Sequence, residues 1–522
     1  MRRWSLANLI GTAALGAHVL FLLALVAVPG CAIFDAVRAL CRETAPDALA
    51  ALIDARRWLV LLTNTAAVCA LAAVTATVLG ALFGLLAART DMPGRGLLAG
   101  AAVLGACVPV YVSATFVFAV IPVWRYSGSA LACGLLYGLF AVPLATVILA
   151  AAFRAADRDL EDSARLDADP WAVLWRVTIP QAAWGIALVA TIVILVVATD
   201  FTIADLLLVR TFAEEVYTQF ALHQSAAGPV LTSVPVLVVV AVLLGLIQAR
   251  YRLLGEHSPW QFGVRPRTIT LGRWRWVVAL GCLALVSVVV GAPAAALLRK
   301  VGSLGRLAGL AVDLDRELLT SALGSLAGAT LVVLLAVGLA WGALKTRVLR
   351  WLIGAGVVVL LAAPAPVIGI GLIELLNRPG WLGSLYDSPA VIVAGYVVRF
   401  LPFGVLLLIP AVRRVPAENE AAARVDGCDW LGVQRHVYWP AVARDALVVW
   451  LVIVILCFGE VSCTALLAPP GWPPASVRAF TLLHFGVYQD LAVLAVATVG
   501  CILVPWLALL SLLRSRLGPQ EA

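Results

Sequence analysis

Twelve apolar runs punctuate this chain, near residues 9–34, 58–88, 96–124, 128–153, 185–209, 229–249, 276–298, 319–344, 351–376, 389–412, 446–468 and 487–513. Crossing about 30 Å of hydrocarbon takes roughly 20 helical residues, so each run is long enough to span a bilayer. Alternation of period two is absent, which makes helices and not a barrel the spanning element. With 63% hydrophobic and 13% charged residues and a mean hydropathy of +1.02, no soluble surface could cover such a chain. The expectation is an all-α polytopic membrane protein with about twelve transmembrane helices, six in each half.

Basic residues set the orientation, because they are retained on the cytoplasmic side. With Arg2 and Arg3 inside, cytoplasmic segments hold 24 of the 37 Lys and Arg residues, external segments hold 12, and Arg399 lies within a run. Both termini are therefore expected in the cytoplasm. The connection from 250 to 275, with Arg250, Arg252, Arg265, Arg267, Arg273 and Arg275, then joins the halves on the inside. The net charge of +8 is this topological signal plus attraction to anionic headgroups, and calls for no nucleic-acid partner. Arg2, Arg3 and the apolar stretch up to Cys31 also have the outline of a lipoprotein signal, but the run is long and Pro29 sits badly beside a cleavage site, so a retained first helix is preferred.

The two halves repeat each other. At an offset of 259, Pro143 matches Pro402, Arg154 matches Arg413, Ala164-Arg165-Leu166-Asp167 match Ala423-Arg424-Val425-Asp426, and Trp171 matches Trp430. At an offset of 260, Pro180 matches Pro440 and Asp200 matches Glu460; at 257, Leu62-Thr63 match Leu319-Thr320. Residues 1–262 (core 58–250) and 263–522 (core 318–513) read as two parallel six-helix repeats, with a pathway expected between them. The repeated loops are helix-compatible from about 157 to 168 and 416 to 427, then turn at Ala168 or Gly427 into a second short helix. Small alanines permit close approach, Leu166 or Val425 with Trp171 or Trp430 form a hydrophobic key, and Asp with Arg fixes register. The alternative is a loop helix that only rests on lipid.

These loops resemble the EAA loop of permease subunits of binding-protein-dependent ABC importers, Glu-Ala-Ala-x-x-x-Gly with a proline thirteen residues on. Glu420-Ala421-Ala422-Ala423-Arg424-Val425-Asp426-Gly427 with Pro440 keeps the Gly-to-Pro spacing; Glu161 to Ala168 with Pro180 lacks the glycine. The resemblance implies that Glu161, Ala164, Arg165, Leu166, Asp167, Ala168, Trp171 and Pro180, with Glu420, Ala423, Arg424, Val425, Asp426, Gly427, Trp430 and Pro440, dock onto a dimer of ABC ATPases. It also implies an external solute-binding protein, and ATP with magnesium on the partner, leaving this chain without a cofactor. The fused layout and the strings Leu376 to Gly380 and Tyr396 to Phe403 look most like iron(III) permeases, then thiamine and phosphonate permeases.

A phosphate-binding Gly-Lys-[Ser/Thr] is missing, since the two lysines Lys300 and Lys345 follow Arg299 and Leu344, so the chain is not expected to be an enzyme. Seven of the ten cysteines lie in apolar runs and read as packing residues, Cys31 and Cys41 could pair, and the five scattered histidines offer no metal site. Asp200 and Glu460, with Thr202 and Ser462, lie in apolar runs, Asp200 about 22 Å from the start of its run. Intramembrane carboxylates are functional candidates. They are read as lining the translocation path or outer gate, the other possibility being that they cap a helix break or pair with Arg399. They also keep open an ion-gradient-coupled transporter; a scaffold without transport is the third reading. Pro109, Pro143, Pro366 and Pro402 are candidate kinks.

Overall fold

The computed structural model describes residues 16–30, 55–120, 128–223, 227–253, 268–287 and 314–516, with a few isolated positions between them. Arg2, Arg3, Cys31, Cys41, Arg265, Arg267 and Lys300 lie outside the described residues. In chain order the helices are α1 (Gly16–Gly30), α2 (Ala55–Arg89), α3 (Arg95–Ala106), α4 (Val110–Val120), α5 (Ala130–Arg154), α6 (Arg158–Ala164), α7 (Pro170–Val173), α8 (Ala183–Thr199), α9 (Thr202–Leu206), α10 (Phe212–His223), α11 (Ala227–Leu253) and α12 (Arg275–Val286). There follow α13 (Asp315–Lys345), α14 (Arg347–Ala362), α15 (Ala365–Leu376), α16 (Trp381–Tyr386), α17 (Ala390–Arg413), α18 (Ala417–Val425), α19 (Trp430–Val433), α20 (Trp439–Gly459), α21 (Thr464–Leu467), α22 (Ala475–Phe485) and α23 (Tyr488–Arg516).

Among the described residues, five helices are long and apolar enough to cross a membrane: Arg56–Arg89, α5, α13, α17 and Trp430–Gly459. Two bent pairs raise the number to seven, Pro170–Gln181 with α8 at 55° and α14 with α15 at 104°, and four shorter apolar helices accompany them. The protein is thus an all-helical, multi-pass membrane protein. Among the described residues, four apolar runs are not single helices, the run from 446 stopping at Gly459 before a short helix from Thr464. The run from 351 breaks at Ala363 and Pro364, where the residue ahead of the proline is forced into extended backbone (ψ 120°). The run from 96 breaks between Cys107 and Pro109, and the run from 185 stops at Thr199. Pro143 and Pro402, by contrast, sit inside the continuous helices α5 and α17.

Contacts gather the chain into two compact units. One comprises Met1–Asp54, Glu215–Arg250 and Asp315–Arg478. Its core joins Leu22 and Val28 of α1 to α13, α14, α15, α17 and α20, and the backbone at Gly404 of α17 lies against Val332 and Ala336 of α13. The other comprises Ala55–Glu214, Tyr251–Leu314 and Ala479–Ala522. There α2 and α5 pack backbone to backbone through small residues, the means by which helices associate where lipid removes the hydrophobic drive. A Cβ at Gly138 would stand 2.7 Å from that of Thr75, so any side chain would push the pair apart. The inner face of α12 (Val278, Ala279, Cys282, Val286) covers Phe83, Leu86, Ala87 and Val142. Each unit draws residues from both sides of position 262, so packing and repetition partition the chain differently.

Candidate functional site

Both repeated loops form the same local structure. In the first, Asp157 caps α6 by accepting from the Asp159 amide at 2.9 Å, and the helix ends at Ala164, four residues short of the expected Ala168. Tight turns follow, Leu166 N to Ser163 O at 3.2 Å and Asp167 N to Ala164 O at 3.3 Å. In the second, α18 ends at Val425 and closes with Cys428 N to Ala423 O at 2.9 Å and Gly427 N to Arg424 O at 3.1 Å, a Schellman closure that requires Gly427 at φ 87°. An alanine would be strained there, and Ala168 accordingly does not reproduce the closure. Asp169 and Asp429 then cap α7 and α19, and each chain widens into one π-helical turn, Leu174–Thr178 or Gln434–Tyr438. Pro180 and Pro440 lie just beyond; neither can donate to the carbonyl four residues back, and the wider turn accommodates that.

The loop tips are apolar and bare. Leu166 is 85% and Val425 82% exposed, each beside an exposed aspartate, Asp167 or Asp426. The tryptophans diverge. Trp171 is exposed, whereas Trp430 turns inward and meets Trp341 of α13 edge-on, with ring centroids 6.3 Å apart. Trp430 is therefore an anchor of its loop, not part of an exposed key.

The glutamates of both loops face inward. Glu161 is buried, accepts from Thr178 Oγ1 at 2.6 Å, and is ion-paired with Arg89 at the end of α2. Arg89 also donates to the Phe153 carbonyl at 3.0 Å, binding the last turn of α5 to the same point. Glu420 accepts from Lys345 Nζ at 2.5 Å, from Arg424 at 2.9 Å and from Tyr438 Oη at 2.7 Å. Lys345 lies 4.4 Å above the Trp341 ring. Burial pushes the Glu420 carboxyl up, but hydrogen bonds from Lys345 and Tyr438, the Lys345 charge and Arg424 outweigh it and hold the group below its ordinary 4.5.

Asp200 and Glu460 stand at the ends of α8 and α20 and cap the short helices that follow. Asp200 Oδ1 accepts from the Thr202 amide and from Tyr137 Oη, both at 2.8 Å. Glu460 accepts from the amides of Cys463 at 2.7 Å and Thr464 at 2.9 Å, and its carbonyl accepts from Ser476 Oγ at 2.7 Å. Thr202 and Ser462 are buried beside them. Among the described residues, no three His, Cys, Asp or Glu side chains are grouped to hold a metal.

Four partners escaped the sequence reading: Arg89, Lys345, Thr178 and Tyr438. Their signal was present in the repeat itself, since Thr178 and Tyr438 are 260 residues apart, a matched offset, and Arg89 and Lys345 are 256 apart, one residue short of the smallest. Tyr137 was detectable in the same way, matching Tyr396 at 259.

The profile of the family described as "Binding-protein-dependent transport system inner membrane component" matches residues 80–253 and again 333–519. The trehalose transport system permease protein SugB of Mycobacterium tuberculosis is 29% identical over 35% of this chain and 70% of its own length. The thiamine transport system permease protein ThiP of Escherichia coli is 29% identical over 25% of each chain, so the match spans a quarter of that relative.

Proposed function

Because this chain belongs to the family of inner-membrane components of binding-protein-dependent transport systems, and is a permease of the ABC importer type, we propose that it supplies both halves of one translocation path. About twelve helices in two parallel repeats, 1–262 and 263–522, flank that path, with both termini in the cytoplasm. The repeated loops are the coupling loops. Their exposed tips, Leu166 with Asp167 and Val425 with Asp426, enter clefts on two ATPase subunits. An external binding protein delivers a small solute, and ATP with magnesium acts on the partner and not here. The observation that carries this reading is the pair of loops, each a short helix, a capped second helix and a π-helical turn, and each presenting a bare apolar residue more than 80% exposed. An unpartnered leucine and valine at the same point of two repeats are better explained by docking than by chance exposure.

The carboxylates at 200 and 460 fit the importer reading better than ion coupling. Their oxygens are engaged with backbone amides, the work of a cap. We keep a role for Asp200, Thr202, Glu460 and Ser462 at the outer gate, where a helix break can open. Iron(III), suggested by the strings around Arg378 and Arg399, thiamine, in the name of one relative, and phosphonate are the cargo candidates. A gentle-detergent pull-down of the tagged chain with mass spectrometry tests the reading. A stoichiometric ATPase with a solute-loaded binding protein is the expected result and identifies the cargo; recovery of intact chain without ATPase, under conditions that preserve a reference ABC complex, refutes it.

A further inference from the structure

We propose that Arg89 and Lys345 are positioning residues that pass the motion of each coupling loop into a membrane span. The proposal rests on the coupling role of the loops given above, and it assigns their glutamates an inward task instead of a docking contact. Each loop helix joins the preceding span through a short connection, Ala155 to Asp157 or Arg414 to Pro416, held to later helices by Asp157 N donating to Gln181 Oε1 at 2.7 Å or by the Arg414–Asp445 ion pair at 2.8 Å. A charge-assisted hydrogen bond is short and directional, and it ties the loop helix itself to the end of the earlier span, beside the Trp430–Trp341 contact in the second loop. Glu161 meets the last residue of α2 and Glu420 the last residue of α13. Those helices run unbroken for 35 and 31 residues, about 50 Å at 1.5 Å per residue, so a push at Arg89 or Lys345 reaches across the bilayer.

The same construction is made twice from different residues. Arginine with threonine serves the first loop, and lysine with tyrosine the second. What is repeated is the connection and not its chemistry, as expected if position is what matters. The attachments differ in stiffness. Arg89 and Glu161 side chains are 2% and 1% exposed, and the end of α2 is further strapped by residues from the connection between the halves: Ile269 N donates to Arg89 O at 2.6 Å, and Leu271 N to Asp91 Oδ1 at 2.7 Å. Lys345 and Glu420 are 29% and 11% exposed, and water reaches the ammonium. Lys345 is therefore the attachment to perturb, because Arg424 and Tyr438 still satisfy Glu420 when it is gone.

The test is hydrogen exchange on the complex of the full chain with its co-purified ATPase, nucleotide-free and trapped with ATP in a hydrolysis-deficient ATPase. Wild type should show an ATP-dependent change both in the loop (417–427) and at the end of α13 (335–345). In Lys345→Met, ATPase binding and the loop response should persist while the response at 335–345 falls about tenfold, and Lys345→Arg should restore it. If the single variant is not recovered from membranes, Lys345→Met with Glu420→Gln removes both charges and should behave alike. A wild-type response at 335–345 in Lys345→Met overturns the proposal. So does loss of ATPase binding in that variant, which would place Glu420 at the docking surface. A wild-type chain that binds no ATPase instead overturns the coupling-loop reading on which this rests.

Discussion

Truncating Leu166 to alanine removes three carbons from a side chain that is 85% exposed, so nearly all of its apolar surface remains available to a partner. At about 0.8 kcal/mol per buried methylene, docking should lose about 2 kcal/mol, and Val425→Ala, with two carbons removed, about 1.3 kcal/mol. A factor of ten corresponds to 1.4 kcal/mol, so the dissociation constant of the ATPase should rise about 30-fold and about 10-fold respectively. Neither side chain packs inside the chain, so stability should change by less than about 0.5 kcal/mol. The assay is titration of fluorescently labelled ATPase onto the chain in nanodiscs, with a thermal melt of the chain alone beside it. Unchanged affinity at both positions would refute the docking assignment of the tips. A lowered melting temperature with unchanged affinity would show that the tips are part of the internal packing instead.

Replacing Asp167 and Asp426 together by lysine reverses the charge beside both tips; uptake should fall while membrane abundance stays normal, and uptake retained at normal abundance would count against docking there. Tyr137→Phe removes the hydroxyl that donates to Asp200 and accepts from the Ile203 amide at 3.2 Å, leaving a buried amide unsatisfied. A loss of about 1 to 3 kcal/mol is expected in steric-trapping measurements of stability, and an unaltered value would argue against the break at Asp200 being held by this contact. The Glu420 carboxyl is held below its ordinary value, so its contribution is fully present above that value and is lost only as pH falls through the lower, folded one. Exchange in 417–427, corrected for its intrinsic pH dependence, should therefore be constant between about pH 5.5 and about pH 8. A rise in exchange within that window, absent from Glu420→Gln, would contradict the assignment.

The apolar character of the spans was fully legible, because hydropathy over a window is a local property of the chain. Where the spans break was only partly so. Pro109 did mark a break, but Pro143 and Pro402 did not, since a proline inside a packed helix costs little when neighbours hold the helix in place. Asp200 and Glu460 stood out by their position in apolar runs. Of the two readings open for them, the path or a helix break, the break is where they stand: each ends a helix and accepts from backbone amides at the start of the next.

By itself the sequence determined that the chain is helical, that it belongs in a bilayer and that two equivalent polar loops interrupt it, for these follow from composition, periodicity and an internal offset. Only the tertiary structure decided what those loops hold. Arg89 and Glu161 are 72 residues apart and Lys345 and Glu420 are 75 apart, a separation at which no periodicity links one charge to its partner. It also decided that Trp171 faces outward while Trp430 folds onto Trp341, since α13 supplies an aromatic neighbour there and α2 places Gly84 and Leu85 at the matching positions. Local chemistry fixed the elements. Tertiary packing decided which charges meet, buried for Arg89 and Glu161 and partly exposed for Lys345 and Glu420.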